Sequence, residues 1–120
     1  MIPALKVYFK IAWACKTPLV FPLDLKYKPI TLALLKVIAS EIRKTFQYLE
    51  DVSDCDDAAW RFKAEASKRK ENGVGLVVGW HRMPHCWNVA LTNDGIYQVE
   101  PQNGYVFKKD KKYRALIVII

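Results

Sequence analysis

Three residues of this sequence could together perform nucleophilic chemistry: Cys55, His85 and Glu100. A thiol attacks an electrophilic carbon once a nearby imidazole takes its proton, and a carboxylate can hold that imidazole in the productive orientation. The residue types and their order predict that Cys55 is the nucleophile, His85 the general base and Glu100 the residue that orients His85. A lone cysteine is also often a small buried residue, so a structural role for Cys55 is the alternative.

Aspartates surround Cys55 in the sequence. Like charges oppose the ionisation of a thiol, whereas the free N–H groups at a helix start favour it. A bound cation would offset these acids, and clustered carboxylates suit calcium. The tentative calcium ligands are Asp51, Asp54, Asp56 and Asp57, whose spacing is not that of an EF-hand loop. The alternative is that these acids cap the following helix and compensate its dipole.

A predicted β-hairpin would position the histidine and the glutamate. Residues 86–92 and 96–100 are typical of strands, and Asn93-Asp94-Gly95 is typical of a tight turn. Such a turn pairs residues whose numbers sum to about 187 or 189, and either register places His85 and Glu100 diagonally on one face, about 7–8 Å apart. A glutamate side chain spans that gap. Cys86 should point away from His85.

The remaining pattern predicts an α+β chain, with helices first and then an antiparallel meander. Thr31 is the expected N-cap of one helix, and Asn72-Gly73 the expected end of another. The C-terminal strand is so apolar that it must be central or covered. The predicted elements are a strand or strand-like arm at 1–15, an irregular connection at 16–30, a helix from 31 to about 48–50, a helix from 53 or 54 to about 72, a buried strand at 75–80, a loop at 108–112 and a strand at 115–120.

Composition narrows the class of protein. The chain has 120 residues, of which 52% are hydrophobic and 26% charged, so one globular domain over residues 1–120 is expected rather than disorder. No apolar run approaches the roughly 20 residues of a membrane span, and the N-terminus does not have the pattern of a signal peptide. The three cysteines fit no disulfide framework, so reduced thiols in the cytoplasm are expected. The oligomeric state stays open.

The net charge of +7 supports a rival interpretation from another class. The run Lys108–Lys112 lies among the aromatic residues Tyr105, Phe107 and Tyr113, which would suit a surface that follows a nucleic-acid backbone. The alternative function is therefore a non-catalytic basic binding or accessory protein for nucleic acid or a protein partner. A further alternative is a zinc site that would use Cys55, His81, His85 and Cys86, although no Cys-x-x-Cys pair is present.

Three sequence blocks resemble a family of cysteine hydrolases. Asp54–Asp57 with Ala58 and Phe62, then His85-x-Trp87-Asn88, then Val99–Gly104 are similar to the cysteine-protease domain at the C-terminus of fungal chimeric lectins and to related bacterial and phage proteins. The wider transglutaminase-like cysteine hydrolases share the order of cysteine, histidine and acid. The resemblance covers about residues 45–107.

This resemblance implies a papain-like or transglutaminase-like core and a Cys55–His85–Glu100 triad. It implies a peptidase, amidase or acyl transferase that acts through a thioester on a peptide or protein substrate, and the lectin-linked domain is calcium-dependent. Leu49 stands where papain-like enzymes place an oxyanion-hole glutamine, about six residues before the cysteine. The candidate oxyanion or supporting residues are Gln47, Asn88 and Gln102. No other cofactor is expected.

Overall fold

The computed structural model describes all residues from 1 to 120 and shows the predicted α+β class, with three helices and eight strands. The helices are α1 (Ala4–Cys15), α2 (Leu32–Thr45) and α3 (Cys55–Lys68). The strands are β1 (Ile2–Pro3), β2 (Val20–Phe21), β3 (Lys26–Tyr27), β4 (Val74–His81), β5 (Met83–Thr92), β6 (Gly95–Glu100), β7 (Tyr105–Phe107) and β8 (Arg114–Ile119). None of the helices is long and apolar enough to cross a membrane.

The main sheet has six strands in the order β2-β8-β4-β5-β6-β7, and a small separate sheet pairs β1 with β3. All neighbouring strands of the main sheet are antiparallel except β2 and β8. The apolar strand β8 lies between β2 and β4 and is therefore hydrogen-bonded on both sides. This placement confirms that the C-terminal strand is covered at its edges.

Helices cover both faces of the main sheet. On one face, Val77, Trp87 and Val89 pack in a cluster with Val7 and Ile11 of α1. On the other face, a second cluster joins α2 and α3 to the sheet; it contains Leu35, Ile38, Phe62, Ala66, Val74, Ala90 and Val99. Successive side chains of a strand point to opposite faces. Odd-numbered positions of β5 therefore face α1, and even-numbered positions face α2 and α3.

The predicted strand or strand-like arm at residues 1–15 is wrong except at Ile2–Pro3, because Ala4–Cys15 forms α1. The β-branched and aromatic residues there suggested a strand, yet the buried residues Val7, Ile11 and Cys15 recur every four positions, which is the spacing of one helix face. The helix ends at Cys15, and the next residue, Lys16, caps it in the left-handed conformation with a φ of 55°. Burial periodicity is thus the better guide here than residue propensity.

The other two helices begin within two residues of their predicted starts, and α2 ends at Thr45, before its predicted end at 48–50. Thr31 caps α2, since its Oγ1 accepts a hydrogen bond from the Leu34 N–H at 3.2 Å. α3 ends at Lys68, before the predicted Asn72-Gly73 terminus. Asn72 does not close the helix because its side chain binds the backbone of β3 and the residue after it, donating to Lys26 O at 2.9 Å and accepting from Lys28 N–H at 2.9 Å.

Candidate functional site

The hairpin of β5 and β6 has the predicted register and brings the histidine and the glutamate together. Asn88 pairs with Val99, so that paired residue numbers sum to 187. His85 Nε2 and Glu100 Oε1 lie 2.5 Å apart, a short hydrogen bond between a partly exposed ring and a carboxylate whose side chain is 6% exposed. The predicted contact between His85 and Glu100 is therefore confirmed. The second ring nitrogen, Nδ1, makes no hydrogen bond within the chain.

Two further groups hold the Glu100 carboxylate. Tyr113 donates its hydroxyl to Oε1 at 3.3 Å, and the backbone N–H of Gln102 lies 3.4 Å from Oε2. Burial, and then the nearby Glu100 charge, raise the pKa of Tyr113 well above its usual value, so this hydroxyl keeps its proton and acts as a donor. The carboxylate is thus fixed by three donors from three parts of the chain.

Aromatic rings extend this site in a way that the sequence did not reveal. His81 stacks on Tyr113 with ring centroids 4.0 Å apart, and its Nδ1 lies 3.2 Å from Lys112 O. Trp87, which is fully buried, lies below His85 and donates its indole N–H to Gln98 Oε1 at 2.8 Å. His81 and Tyr113 meet because β4 pairs with β8, and that long-range pairing has no local signal.

Cys55 approaches the sheet from the opposite face. It is the first residue of α3, and the side chain of β5 that interacts with it is Cys86. Burial raises the pKa of the Cys86 thiol to about 11, and negative charge at Cys55 and at Asp56 adds to the effect. Cys86 points away from His85, as the alternation of the strand predicts.

The three residues of the predicted triad are therefore not joined by one continuous series of hydrogen bonds. His85 is bonded to Glu100, and Cys55 lies beside Cys86, but no hydrogen bond joins the Cys55 thiol to either nitrogen of His85. The suggested zinc ligands divide in the same way. His81 and His85 lie on one face, and the two cysteines lie on the other.

The candidate calcium ligands converge only in part. Ligand atoms of Asp54, Cys55 and Asp56 lie within 4.8 Å of one another. The pKa of Asp54 is raised to about 6, mainly by a hydrogen bond with Asp56. Asp57 instead accepts the Asp54 N–H at 3.0 Å, which is a capping contact. Asp51 is exposed in a turn with a φ of 59°.

The three supporting residues named from the sequence have other partners. Gln47 is exposed, and only its backbone oxygen is bound, by the Ser53 hydroxyl. Asn88 is fully buried and donates both amide hydrogens to backbone oxygens, of Ala59 in α3 and Gly75 in β4, at 3.0 Å each. The side-chain oxygen of Asn88, Oδ1, accepts no hydrogen bond. Gln47 and Asn88 are thus not placed as oxyanion donors, and Gln102 supports Glu100 through its backbone.

A cavity of about 760 Å³ opens beside this network. The rings of Trp80 and Tyr113 line it, together with the buried amide of Gln98 and the carboxylate of Asp110. Four cationic side chains also line the cavity: Lys16, Lys109, Lys111 and Arg114. The sequence did not predict this cavity, because its walls come from the end of α1, the three strands β4, β6 and β8, and the loop before β8.

Two solved structures share this fold. One, described as the PSL1a–E64 complex, has a TM-score of 0.71 and 24% identity over 84% of this chain and 43% of that chain. The other, Polyporus squamosus lectin bound to the epitope Neu5Aca2-6Galb1-4GlcNAc, has a TM-score of 0.77 and 23% identity over 97% of this chain and 48% of that chain. This chain thus spans about half the length of these neighbours. No protein-family model and no curated protein matches it.

These matches correct the family and function that the sequence suggested. One neighbour is described as a lectin bound to a sialylated epitope, and neither description names a papain-like cysteine hydrolase. The assignment to that family, the peptidase, amidase or acyl-transferase activity and the peptide or protein substrate are therefore wrong.

The prediction of nucleic-acid binding is also wrong. The structural matches contradict it, and so do the positions of the aromatic residues that suggested it. Lys108–Lys112 do form the predicted exposed loop before β8. However, Phe107 is buried at 6% exposure, and Tyr113 turns inward to bind Glu100. A surface that binds single-stranded nucleic acid needs exposed rings on which bases stack. Of the three predicted aromatics, only Tyr105 is exposed.

Proposed function

We propose that this chain binds an anionic glycan in the cavity between the end of α1 and the loop before β8. The observation that carries the proposal is the lining of the cavity, where two aromatic rings lie among four cationic side chains and only one carboxylate. Ligand sites combine apolar and aromatic walls with a few placed polar groups, and this cavity has that composition.

Each part of a charged sugar has a suitable partner in the lining. The apolar C–H face of a sugar ring can pack on Trp80, which is 49% exposed. A carboxylate on the sugar can bind Arg114 through two parallel hydrogen bonds. Hydroxyl groups can donate to Asp110, whose carboxylate is already held by the Lys112 N–H and the Tyr105 hydroxyl. All of these contacts bind the sugar, and none of them requires a catalytic residue.

The similar lectin supports the ligand class, although the likeness itself extends only to the fold. That lectin is bound to a glycan with a terminal Neu5Ac, which carries a carboxylate. The match covers 48% of the lectin, so its epitope is not transferred to a place in this chain. The anionic ligand is inferred here from the charge of the cavity.

Glycan binding is tested by calorimetric titration with Neu5Aca2-6Galb1-4GlcNAc and with Galb1-4GlcNAc. We expect the sialylated glycan to bind more tightly, and its affinity to fall with added salt, because screening weakens charge attraction. Arg114→Gln should weaken binding by about tenfold, equivalent to about 1.4 kcal/mol. Trp80→Ala should also weaken binding, by the loss of ring contact.

Matched control variants keep the test specific to the cavity. Trp60 is 58% exposed on α3 and does not line the cavity, so Trp60→Ala should leave the affinity unchanged. Arg43→Gln, on the exposed side of α2, should do the same. Equal binding of the two glycans, or no heat from either at millimolar concentration, would contradict the proposal.

We also propose that Cys55, His85 and Glu100 form a reactive thiol site, on an arrangement of helix and hairpin like that of a papain-like core. The support is that Glu100 orients His85 and leaves Nδ1 free, while the α3 start lies at the same end of β5. Hydrogen bonds of such sites are often long in unliganded proteins. A cytoplasmic location, which keeps thiols reduced, belongs to this proposal. It assigns no substrate and no bond to be cleaved.

Thiol reactivity is measured by iodoacetamide labelling in a phosphine reductant, followed by peptide mass spectrometry. Cys55 should label faster than Cys15, and His85→Ala should slow Cys55 by about tenfold because the base that takes the thiol proton is lost. His81→Ala is the matched control and should not change the rate. Equal rates for Cys55 in the wild type and in His85→Ala would overturn this site.

Calcium at the α3 start is a third proposal, and the convergence of Asp54 and Asp56 supports it. Carboxylates are ligands that calcium prefers. Calcium chloride should raise the melting temperature, because a ligand that binds only the folded state stabilises it. Asp56→Asn should remove this shift, whereas Asp94→Asn in the β5–β6 turn should keep it. No heat in a calorimetric titration and no shift in melting temperature would rule calcium out.

A further inference from the structure

Cys55 and Cys86 are neighbours from two different elements. The Asn88 side chain donates to Ala59 O at 3.0 Å, which fixes α3 against β5. Cys86 lies two residues before Asn88, about 6.6 Å along the strand. Cys55 lies four residues before Ala59, about 6 Å along the helix. Phe62 and Ala66, farther along α3, pack in one cluster with Ala90, farther along β5, so the helix and the strand run in the same direction. The contact at Asn88 therefore places the side chains of Cys55 and Cys86 near each other.

Both thiols are free and both are partly exposed. The third cysteine, Cys15, is buried at the end of α1 on the other face of the sheet, so it cannot join this pair. Cys55 and Cys86 lie 31 positions apart in the sequence, and no disulfide spacing pattern marks them. Only the packing of α3 on β5 reveals the pair.

We propose that Cys55 and Cys86 form an oxidation-sensitive dithiol that closes to an intramolecular disulfide when the protein meets hydrogen peroxide. The pair then acts as a modification site that ties the first turn of α3 to β5. Closure consumes the Cys55 thiol and leaves Cys15 unchanged. This inference does not depend on glycan binding or on any role of His85.

The reaction balances with peroxide as the oxidant. One thiol attacks the peroxide oxygen and becomes a sulfenic acid, and the peroxide is reduced to one molecule of water. The second thiol then attacks the sulfenic sulfur; the S–S bond forms as the S–O bond breaks, and a second molecule of water leaves. A neighbouring thiol makes this second step intramolecular, so it competes well with further oxidation of the sulfenic acid.

Tryptic mapping can distinguish every pairing, because the three cysteines fall on three different peptides. Cleavage after lysine and arginine places Cys15 in residues 11–16, Cys55 in residues 45–61 and Cys86 in residues 83–108. After mild peroxide treatment and alkylation, we expect peptides 45–61 and 83–108 to appear as one cross-linked species that a phosphine separates. The number of thiols titrated in denaturant should fall from three to one.

Two variants keep the test decisive. Cys15→Ser should retain the cross-link, whereas Cys86→Ser should lose it and carry Cys55 on to sulfinic acid or to a mixed disulfide between molecules. Since the readout is the cross-linked peptide, it is independent of any binding activity. Peroxide-treated protein in which Cys55 is oxidised to sulfinic acid and Cys86 remains a free thiol would overturn the inference, as would a disulfide between two molecules only.

Discussion

Replacing Trp87 with alanine should lower the free energy of unfolding by about 3–5 kcal/mol, the range for removing a large buried aromatic. Trp87 is fully buried, and its indole N–H binds the buried Gln98. Its ring also packs where Gly79 has no side chain, within 2.7 Å of the position that a Cβ there would occupy. The substitution thus leaves a cavity, an unpaired amide oxygen and lost ring contacts together.

Chemical denaturation measures this effect, with Trp60→Ala as the matched control. Trp60 is 58% exposed, so its removal should change stability by no more than about 0.5 kcal/mol. Trp87→Phe should be intermediate, because it keeps most of the ring and loses the hydrogen bond. If Trp87→Ala unfolds at the same denaturant concentration as Trp60→Ala, the packing described for this face is incorrect.

Asn88→Asp should be nearly as disruptive, although it changes the shape of the side chain very little. The Asn88 amide donates to two backbone oxygens from a fully buried position. A carboxylate there cannot donate and places its charge against both oxygens. A buried charge without a partner costs about 3–5 kcal/mol.

The penalty of Asn88→Asp should depend on pH in a defined direction. Burial raises the pKa of the new carboxyl above the value of about 3.9 in the unfolded chain. The folded state then holds a proton that the unfolded state releases, so the penalty grows as pH rises from about 4 and shrinks as pH falls toward it. Asn103→Asp, at an exposed turn, is the control and should show neither the loss nor the pH dependence. A penalty independent of pH would contradict a buried, donor-only Asn88.

Local patterns predicted much of the fold. Helix α2 and its Thr31 cap follow from apolar spacing and capping chemistry, and the β5–β6 register follows from a turn and strand alternation. The same alternation placed His85 beside Glu100. In contrast, α1 was misread because its β-branched and aromatic residues favour strands, and only the burial of every fourth residue shows the helix.

The parts that the sequence did not predict depend on contacts between distant segments. The stack of His81 on Tyr113 requires the pairing of β4 with β8, and the charged cavity requires the loop before β8 to lie over the end of α1. Alternation also determines which residue of β5 faces α3. His85 and Cys86 are adjacent on β5, so α3 can face only one of them, and it faces Cys86.

The family assignment was wrong because it rested on three short blocks of residues, which specify local structure and not a function. Those blocks describe a helix start followed by a hairpin, and the structure confirms both elements. A fold hosts many functions, so the site must decide among them. Here the site with the charge and shape for a ligand is the cavity at Trp80 and Arg114, which lies outside the blocks.

The most direct test of glycan binding is a two-dimensional ¹H–¹⁵N spectrum of the protein titrated with Neu5Aca2-6Galb1-4GlcNAc. We expect concentration-dependent shifts of the Trp80 indole N–H and of the backbone around Arg114 and Lys109–Lys111, with Trp60 unchanged. The neutral glycan Galb1-4GlcNAc should produce much smaller shifts. An unchanged spectrum, or shifts confined to residues away from the cavity, would contradict the central claim.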